Sequence, residues 1–349
     1  MHETFMRRCF ELAGRGMGQV SPNPMVGAVL VKNGTIIGEG WHTHHGAPHA
    51  EPACFANASE DVTDATLYVN LEPCCHTKKL TPPCSPLVIS KKVAQVVISN
   101  LDPNPQVAGL GVEQLKAAGI DVVTGILETE GEELNEIFFH RMRTGLPFVH
   151  LKTAMSLDGK SARLDGKQQW ITGPNARLDS HWGRLSCDAI VVGAQTVRSD
   201  NPSLTIRLPE YQVKRAPWRI VLTVSGNLPM EAKIFTDELK HRTLVVCQRD
   251  VAIAFPETQI LRLSNLTPFP FGEFYLHLKE RNIFSLLLEG GADLHDFFLS
   301  SHQVQRITVY RSSALLGAGK AAFKTPMPAL KSLTHMNLGD DERISGVVV

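Results

Sequence analysis

Three short segments restrict this chain more than anything else in it: His49-Ala50-Glu51, Pro73-Cys74 and Pro82-Pro83-Cys84. One histidine and two cysteines are the donor set of a zinc site with three protein ligands and one open position. Such a site makes segments far apart in sequence converge on a point, so it dictates tertiary structure as well as local conformation. His49 stands at the start of a predicted helix with Pro48 just ahead of it, and Glu51 comes two residues later, facing the same cavity. Cys74 follows a predicted strand and Cys84 opens the next helix, where the N-terminus favours the anionic thiolate. His49, Cys74 and Cys84 are the expected zinc ligands. Glu51, which is not a ligand, is the expected proton shuttle of a hydrolytic deamination.

The spacing departs from the general signature, in which H-x-E is followed by P-C-x-x-C, because position 77 is Thr77. Cys75 adjoins Cys74, and neighbouring residues rarely reach one tetrahedral ion together. Cys84, across a longer loop, is the better second thiolate. His42, His44 and His45 read as a solvated loop, with His42 kept as a candidate substrate contact. Cys9, Cys54, Cys187 and Cys247 read as packing residues.

A chain of 349 residues exceeds one ordinary domain and favours two cores. Lys+Arg and Asp+Glu balance at 35 each, so no net basic field recommends a nucleic-acid partner, and a small molecule is the expected ligand. The first residues mix Glu3, Arg7, Arg8 and Glu11 with apolar ones, unlike a signal peptide. No apolar run approaches the ~18 residues of a membrane span. Seven cysteines at irregular spacing argue against a disulfide scaffold and for a reducing cytoplasm.

Periodicity predicts an α/β unit first. A helix carries Phe5, Met6, Cys9, Phe10 and Leu12, and a hairpin pairs Val26–Val31 with Ile36–Trp41 through Asn33-Gly34. A helix follows at His49–Ala58, then strands at Thr66–Asn70, Val93–Ser99 and Asp121–Thr124, with helices at Ser85–Lys91 and Gly111–Ala118. One amphipathic helix is expected over Glu128–Thr144, ended by Gly145-Leu146-Pro147. The domain boundary is placed there, giving domains 1–145 and 146–349. Strands of the second are expected at Phe148–Thr153, Ala189–Val192, Arg219–Thr223, Thr243–Val246, Ser285–Leu288 and Arg306–Tyr310, with an exposed loop at Leu263–Gly272. The second half has no G-x-G-x-x-G. Even so, Ser285–Leu288, the turn Glu289-Gly290-Gly291 and a helix from Ala292 form a strand, turn and helix N-terminus suited to a phosphate.

Taken together, Pro22–Gly27, His49–Glu51, Leu71–His76, Thr81–Cys84 and Asp102–Gly109 resemble the deaminase of the riboflavin-biosynthesis family. Lys152–Gly159, Gln169–Thr172, Asp188–Gly193, Thr196-Val197, Asp200–Pro202, Leu204–Arg207 and Glu289–Gly291 are similar to the reductase fused to it in bacteria. The resemblance implies a cytidine-deaminase-like three-layer αβα domain followed by a dihydrofolate-reductase-like α/β domain. It implies zinc-dependent hydrolysis of the 2-amino group of 2,5-diamino-6-(5-phosphoribosylamino)pyrimidin-4-one, then NADPH-dependent reduction of the ribosyl chain to ribityl. Substrate contacts carry over onto Asn23, His42, His76 and Lys79 in the first half, and onto Gln168, Arg184, Leu204, Arg207 and Glu289 in the second. NADPH contacts carry over onto Ala154, Trp170, Thr196, Asp200, Gly291, Ala292, Asp293, Leu294, His295, Asp296 and Phe297. Arg184 and Arg207 suit a substrate phosphate, and Lys152 is a candidate polar catalytic group. A homo-oligomer, dimer or tetramer, is expected.

The sequence also departs from the family it resembles. Its loop between the cysteines is one residue longer, so the basic residue near a substrate phosphate is either Lys78 or Lys79. Thr223-Val224 replaces an Asp-Ser pair near the NADPH site, and Gln168 replaces a serine. Two rival readings stand beside this one. The first is a zinc deaminase acting on a nucleic-acid base, with a non-catalytic second domain. The second is a zinc-stabilised binding module, its fourth ligand supplied by Cys75 or His76.

Overall fold

A computed structural model describes residues 1–77, 81–164, 170–209, 211–253, 259–264 and 269–349. The chain divides into two compact units, Met1–Leu146 and Pro147–Val349.

The first unit runs α1 (His2–Gly14), β1 (Gly27–Lys32), β2 (Thr35–Trp41), α2 (Ala50–Ala56), β3 (Thr66–Leu71), α3 (Cys84–Ser90), β4 (Gln95–Asn100), α4 (Leu110–Ala117), β5 (Asp121–Val123), α5 (Glu128–Leu134) and α6 (Glu136–Thr144). Its sheet has the order β2-β1-β3-β4-β5, antiparallel from β2 to β3 and parallel from β3 to β5. Both faces are covered, and the two-residue period of the strands sorts the side chains between them. Ala28, Leu30, Leu67, Val69, Val96 and Ile98 meet α2, α3 and α4 on one face. Val29, Val31, Tyr68 and Val97 meet Met6, Cys9 and Leu12 of α1 on the other. This is the expected αβα sandwich, with Cys9 and Cys54 in its core.

Gly40 brings α2 close to the sheet. A Cβ there would lie 2.2 Å from Cys54 N and 2.6 Å from Ala50 O. Only a glycine lets the helix that follows His49 pack this tightly on β2.

The helix expected over Glu128–Thr144 is two, because Asn135 leaves helical dihedrals at φ −112°, ψ 25°. Its amide turns inward: Oδ1 accepts from Met25 N at 2.8 Å and Nδ2 donates to Met25 O at 2.9 Å. Those bonds compete with the helical ladder and break it.

The second unit runs β6 (Phe148–Met155), β7 (Lys160–Arg163), α7 (Pro174–Ser186), β8 (Ala189–Gly193), α8 (Ala194–Asp200), β9 (Trp218–Leu222), α9 (Lys233–Thr236), β10 (Thr243–Gln248), β11 (Gln259–Leu263), α10 (Phe271–Glu280), β12 (Ser285–Leu288), α11 (Ala292–Ser300), β13 (Arg306–Ser312), β14 (Gly319–Ala321), β15 (Leu330–Leu338) and β16 (Asp341–Val348). Its main sheet has the order β11-β10-β9-β8-β12-β6-β13-β16-β15. Strands β11 to β13 pair in parallel, and β16 and β15 close the sheet antiparallel. Alternate residues again serve two cores, Val191 and Ile220 in one and Ile190 and Val221 in the other.

The exposed loop expected at Leu263–Gly272 is not found at either end. Leu263 closes β11 fully buried, Phe271 opens α10, and Phe269 and Phe271 pack against the core. Aromatic burial outweighs the turn-forming prolines there. Residues 265–268 lie outside the described residues.

Candidate active site

Each metal-ligand candidate sits at the edge of a regular element. His49 is the extended residue capping α2 (φ −69°, ψ 171°), and Cys84 is the first residue of α3 after Pro83. Cys74 lies just past β3, and its carbonyl accepts from Cys84 N at 2.8 Å and Ser85 N at 3.1 Å. The backbone of one thiolate candidate thus caps the helix that presents the other.

His49 Nδ1 lies 3.5 Å from Cys74 Sγ and 3.4 Å from Cys84 Sγ, and all three ligand atoms fall within 4.8 Å of one another. Zinc–nitrogen and zinc–sulfur bonds of about 2.0 and 2.3 Å at a tetrahedral angle put nitrogen and sulfur about 3.5 Å apart, so the donor set fits zinc. His49 Nε2 pairs with Thr81 Oγ1 at 3.0 Å. A ring that donates there keeps the Nδ1 lone pair for a metal. Thr81 was not singled out for a role in the sequence, since a hydroxyl partner to histidine has no spacing signature. Cys75 is not in the ligand cluster: its thiol faces Gln106 O at 3.7 Å.

Glu51 is buried in the first turn of α2 and lines the same cavity as His49 and Cys74, a space of about 290 Å³. Burial first, then the charge of Cys74, pushes its carboxyl above the ordinary range. His42 is also buried, contrary to the solvated loop expected for it, while His44 and His45 are exposed. His42 Nδ1 faces Pro48 O at 3.0 Å and Nε2 faces Asn23 Nδ2 at 3.1 Å. A carbonyl can only accept, so Nδ1 carries the proton and Nε2 accepts from Asn23. Burial lowers the His42 pKa, which agrees with that neutral ring. Asn23, His42 and His76 all line the cavity, as expected of substrate contacts, and His76 Nδ1 is buried without a partner among the described residues. Lys79, like Lys78, lies outside the described residues.

Glu72 received no role in the sequence reading. It is buried, and its carboxylate accepts from Asp102 N (3.1 Å), Gly109 N (2.9 Å) and Val112 N (3.1 Å). This ties the 102–109 loop to the end of β3, so that Asp102 and Asn104 form part of the cavity wall. Val107 of the same loop packs on Cys74 and Cys84.

In the second unit the structure gathers Lys152, Arg184, Arg207 and Glu289. Arg184 holds Glu289 with two bonds, Nε to Oε1 at 2.6 Å and Nη2 to Oε2 at 2.8 Å, and its Nη1 donates to Thr205 O at 2.7 Å. Lys152 Nζ lies 3.8 Å from Glu289 Oε2 and 5.6 Å from the Tyr310 ring centre. Arg207 N donates to His181 Nδ1 at 3.2 Å, and its guanidinium is partly exposed and donates to Thr205 Oγ1. Burial and the neighbouring Arg184 lower its pKa. Leu204 has φ 51° and a side chain buried in the core, which leaves only its backbone to meet a ligand. Gln168 lies outside the described residues.

Of the NADPH candidates, Gly291 caps α11 with no side-chain partner, and Ala292–Phe297 form its first two turns. Leu294 is buried in the core, Phe297 packs against it, and Asp293 pairs with Lys324. His295 is buried with its ring facing the Ala322 backbone, and Asp296 Oδ1 has no hydrogen-bond partner among the described residues. The first amides of α11, with no side-chain cap, fit a phosphate-bearing cofactor. Ala154 lies on β6, while Thr196 and Asp200 lie on α8. Trp170 is 75% exposed, with the Arg177 guanidinium 4.7 Å from its ring centre. Thr223, of the departing Thr223-Val224 pair, is buried and accepts from Gly226 N.

Residues 1–100 match the cytidine and deoxycytidylate deaminase zinc-binding region, and residues 147–344 match the RibD C-terminal domain. The chain is 40% identical over 329 residues to the riboflavin biosynthesis protein RibD of Actinobacillus pleuropneumoniae, which covers 93% of this chain and 86% of that protein. It is 38% identical over 343 residues to RibD of Escherichia coli, covering 95% and 92%. A solved diaminohydroxyphosphoribosylaminopyrimidine deaminase/5-amino-6-(5-phosphoribosylamino)uracil reductase from Thermotoga maritima aligns over 100% of this chain and 99% of its own, with a TM-score of 0.88 and 36% identity. With a zinc-type donor set in the first unit, a charged cluster beside an uncapped helix in the second, and likeness over nearly its whole length, the chain belongs to the RibD family of riboflavin-biosynthesis proteins.

Proposed function

We propose that the chain deaminates 2,5-diamino-6-(5-phosphoribosylamino)pyrimidin-4-one in residues 1–145 and reduces the ribosyl chain of the product to ribityl with NADPH in residues 146–349. The observation that carries this reading is His49, Cys74 and Cys84 within 4.8 Å of one another, beside buried Glu51 in one cavity. His49, Cys74 and Cys84 would hold zinc, which activates water toward the amino-bearing carbon when bound. Glu51 takes the proton from the attacking water and returns it to the amino group that leaves as ammonia. Thr81 fixes the His49 ring, and Asn23, with its amide set by neutral His42, orients the pyrimidine.

In the second unit NADPH supplies a hydride when bound at α11. Glu289 holds Arg184 and Lys152 in place, Lys152 is the polar catalytic group of this reading, and Arg207 meets the substrate phosphate.

Residues 147–344 match a reductase-family domain, which tells against the rival deaminase of nucleic-acid bases with an inert second half. Neither Cys75 nor His76 joins the metal cluster among the described residues, which tells against a closed structural zinc. Seven cysteines at irregular spacing, none in a disulfide, support a reducing cytoplasm, and no described helix is long and apolar enough to cross a membrane. The exposed edge strand β15, with Leu333 and Met336 outward, supports a homo-oligomer, dimer or tetramer, checked by mass in solution.

Incubation with the diaminopyrimidine, with and without NADPH, tests the reading. Ammonia should appear in both cases and oxidised cofactor only in one, and ammonia absent from both rejects it. Asp200→Ala with Arg207→Ala should stop cofactor oxidation while ammonia release continues.

A further inference from the structure

Residues 201–208 of the second unit carry Leu204 and Arg207 and belong to no helix or strand. Side chains from neighbouring elements hold this loop at 203, 205 and 207, where a sheet would use a backbone ladder. Arg219 Nη1 donates to Ser203 O at 3.1 Å, Arg184 Nη1 donates to Thr205 O at 2.7 Å, and Arg207 N donates to His181 Nδ1 at 3.2 Å. His181 and Arg184 are three residues apart on α7, so one face of that helix meets the loop at two points. His181 is buried, and an Nδ1 that accepts from an amide leaves the ring proton on Nε2 and the imidazole neutral. The surroundings agree: burial, then the charges of Arg184 and Arg207, lower its pKa to about 4.

The anchor at Arg207 falls on the residue that meets the substrate in the proposed function, on which this inference rests. An arginine side chain is long and flexible, so a directed contact at its tip needs a fixed backbone at its root. A buried imidazole seated on a helix supplies that fixed point. We infer that His181 is a positioning residue of the reductase, whose Nδ1 fixes the backbone of Arg207 and thereby sets how tightly the ribosyl substrate is held. It acts through Arg207 alone. Glu289 keeps its own bonds to Arg184 and Lys152, so loss of the His181 acceptor falls on KM for the pyrimidine and spares kcat.

The test follows NADPH oxidation by the full-length protein with 5-amino-6-(5-phosphoribosylamino)uracil, comparing wild type, His181→Leu, His181→Gln and His181→Asn. Asparagine places its Oδ1 where Nδ1 stands and can still accept from Arg207 N. Glutamine carries its amide one bond further out, toward the place of Nε2, and leucine has no acceptor. His181→Leu and His181→Gln should raise KM for the pyrimidine about three- to tenfold, the scale of one neutral hydrogen bond, with kcat and KM for NADPH unchanged. His181→Asn should stay close to wild type. If the leucine variant folds poorly, the comparison of Gln with Asn carries the test, since both are polar. Equal KM values in all the proteins overturn the inference, as does an Asn variant no better than Gln, or a loss that falls on kcat or on KM for NADPH. Each of these leaves the functional reading standing. A wild type that oxidises no NADPH with this substrate overturns the functional reading, and this inference with it.

Discussion

Asn135 grips Met25 by both of its backbone polar groups, across 110 residues of sequence. A second amide, Asn70, donates to the same Met25 carbonyl at 3.0 Å and accepts from Gly27 N at 2.8 Å. Two amide side chains therefore fix the segment that presents Asn23 to the cavity and leads into β1. Asn135→Ala removes two of these bonds and leaves the half-buried Met25 amide unmatched. The expected cost is about 1–3 kcal/mol in urea unfolding, with a raised KM for deamination. Unchanged stability would show that the helix break at Asn135 has another cause.

Glu51→Gln separates proton transfer from metal binding. Bound zinc should stay near one equivalent by metal analysis, while ammonia release falls by about 10²-fold or more. Lost zinc would make Glu51 a ligand, and retained turnover would remove it from the mechanism.

The two cysteines nearest Cys74 should behave oppositely. Cys84→Ser should lose both zinc and deamination, because Cys84 Sγ faces His49 Nδ1 at 3.4 Å. Cys75→Ser should keep both, because its thiol points at the Gln106 carbonyl. The reverse pattern would mean that the longer loop had shifted the ligand register.

The acid stability of the second unit should depend on Glu289. Burial pushes this carboxyl up, but Arg184 and then Lys152 outweigh it and hold it down at about 2, against an ordinary 4.5. A depressed folded pKa gives stability that is present above the unfolded value and lost as pH falls through the folded one. Glu289→Gln should therefore destabilise the unit at neutral pH, by about 3–5 kcal/mol for a broken buried pair. The gap between the two proteins should narrow from about pH 4.5 toward pH 2, as wild-type Glu289 protonates. Thermal unfolding followed across that range checks it, and a gap independent of pH would show that the pair is not ionic.

The three donors that the structure brings within 4.8 Å of one another could be named as candidates from the sequence because metal chemistry restricts donors to a few residue types, here at helix and strand ends. The α/β layering of the first unit was legible because strands buried on both faces read as unbroken apolar runs, as Ala28 to Val31 do. Lys160–Arg163 and Leu330–Leu338 are two of the five strands missed, with Gln259–Leu263, Gly319–Ala321 and Asp341–Val348. The first is short and the second is exposed over most of its length, so neither carries an apolar period. The helix break at Asn135 was missed because charge and apolar spacing continue through it unchanged.

By itself the sequence determined which residue types could bind zinc and that the chain alternates helices and strands, since each depends on residue type and local order. Only the tertiary structure decided that Glu72 serves the 102–109 loop, that Asn135 serves Met25 and that Arg184 is held by Glu289. Each of these is a polar side chain meeting a partner distant in sequence. Such a pairing leaves no periodic trace, because it is selected by the position of a backbone that exists only after the sheet and helices have packed.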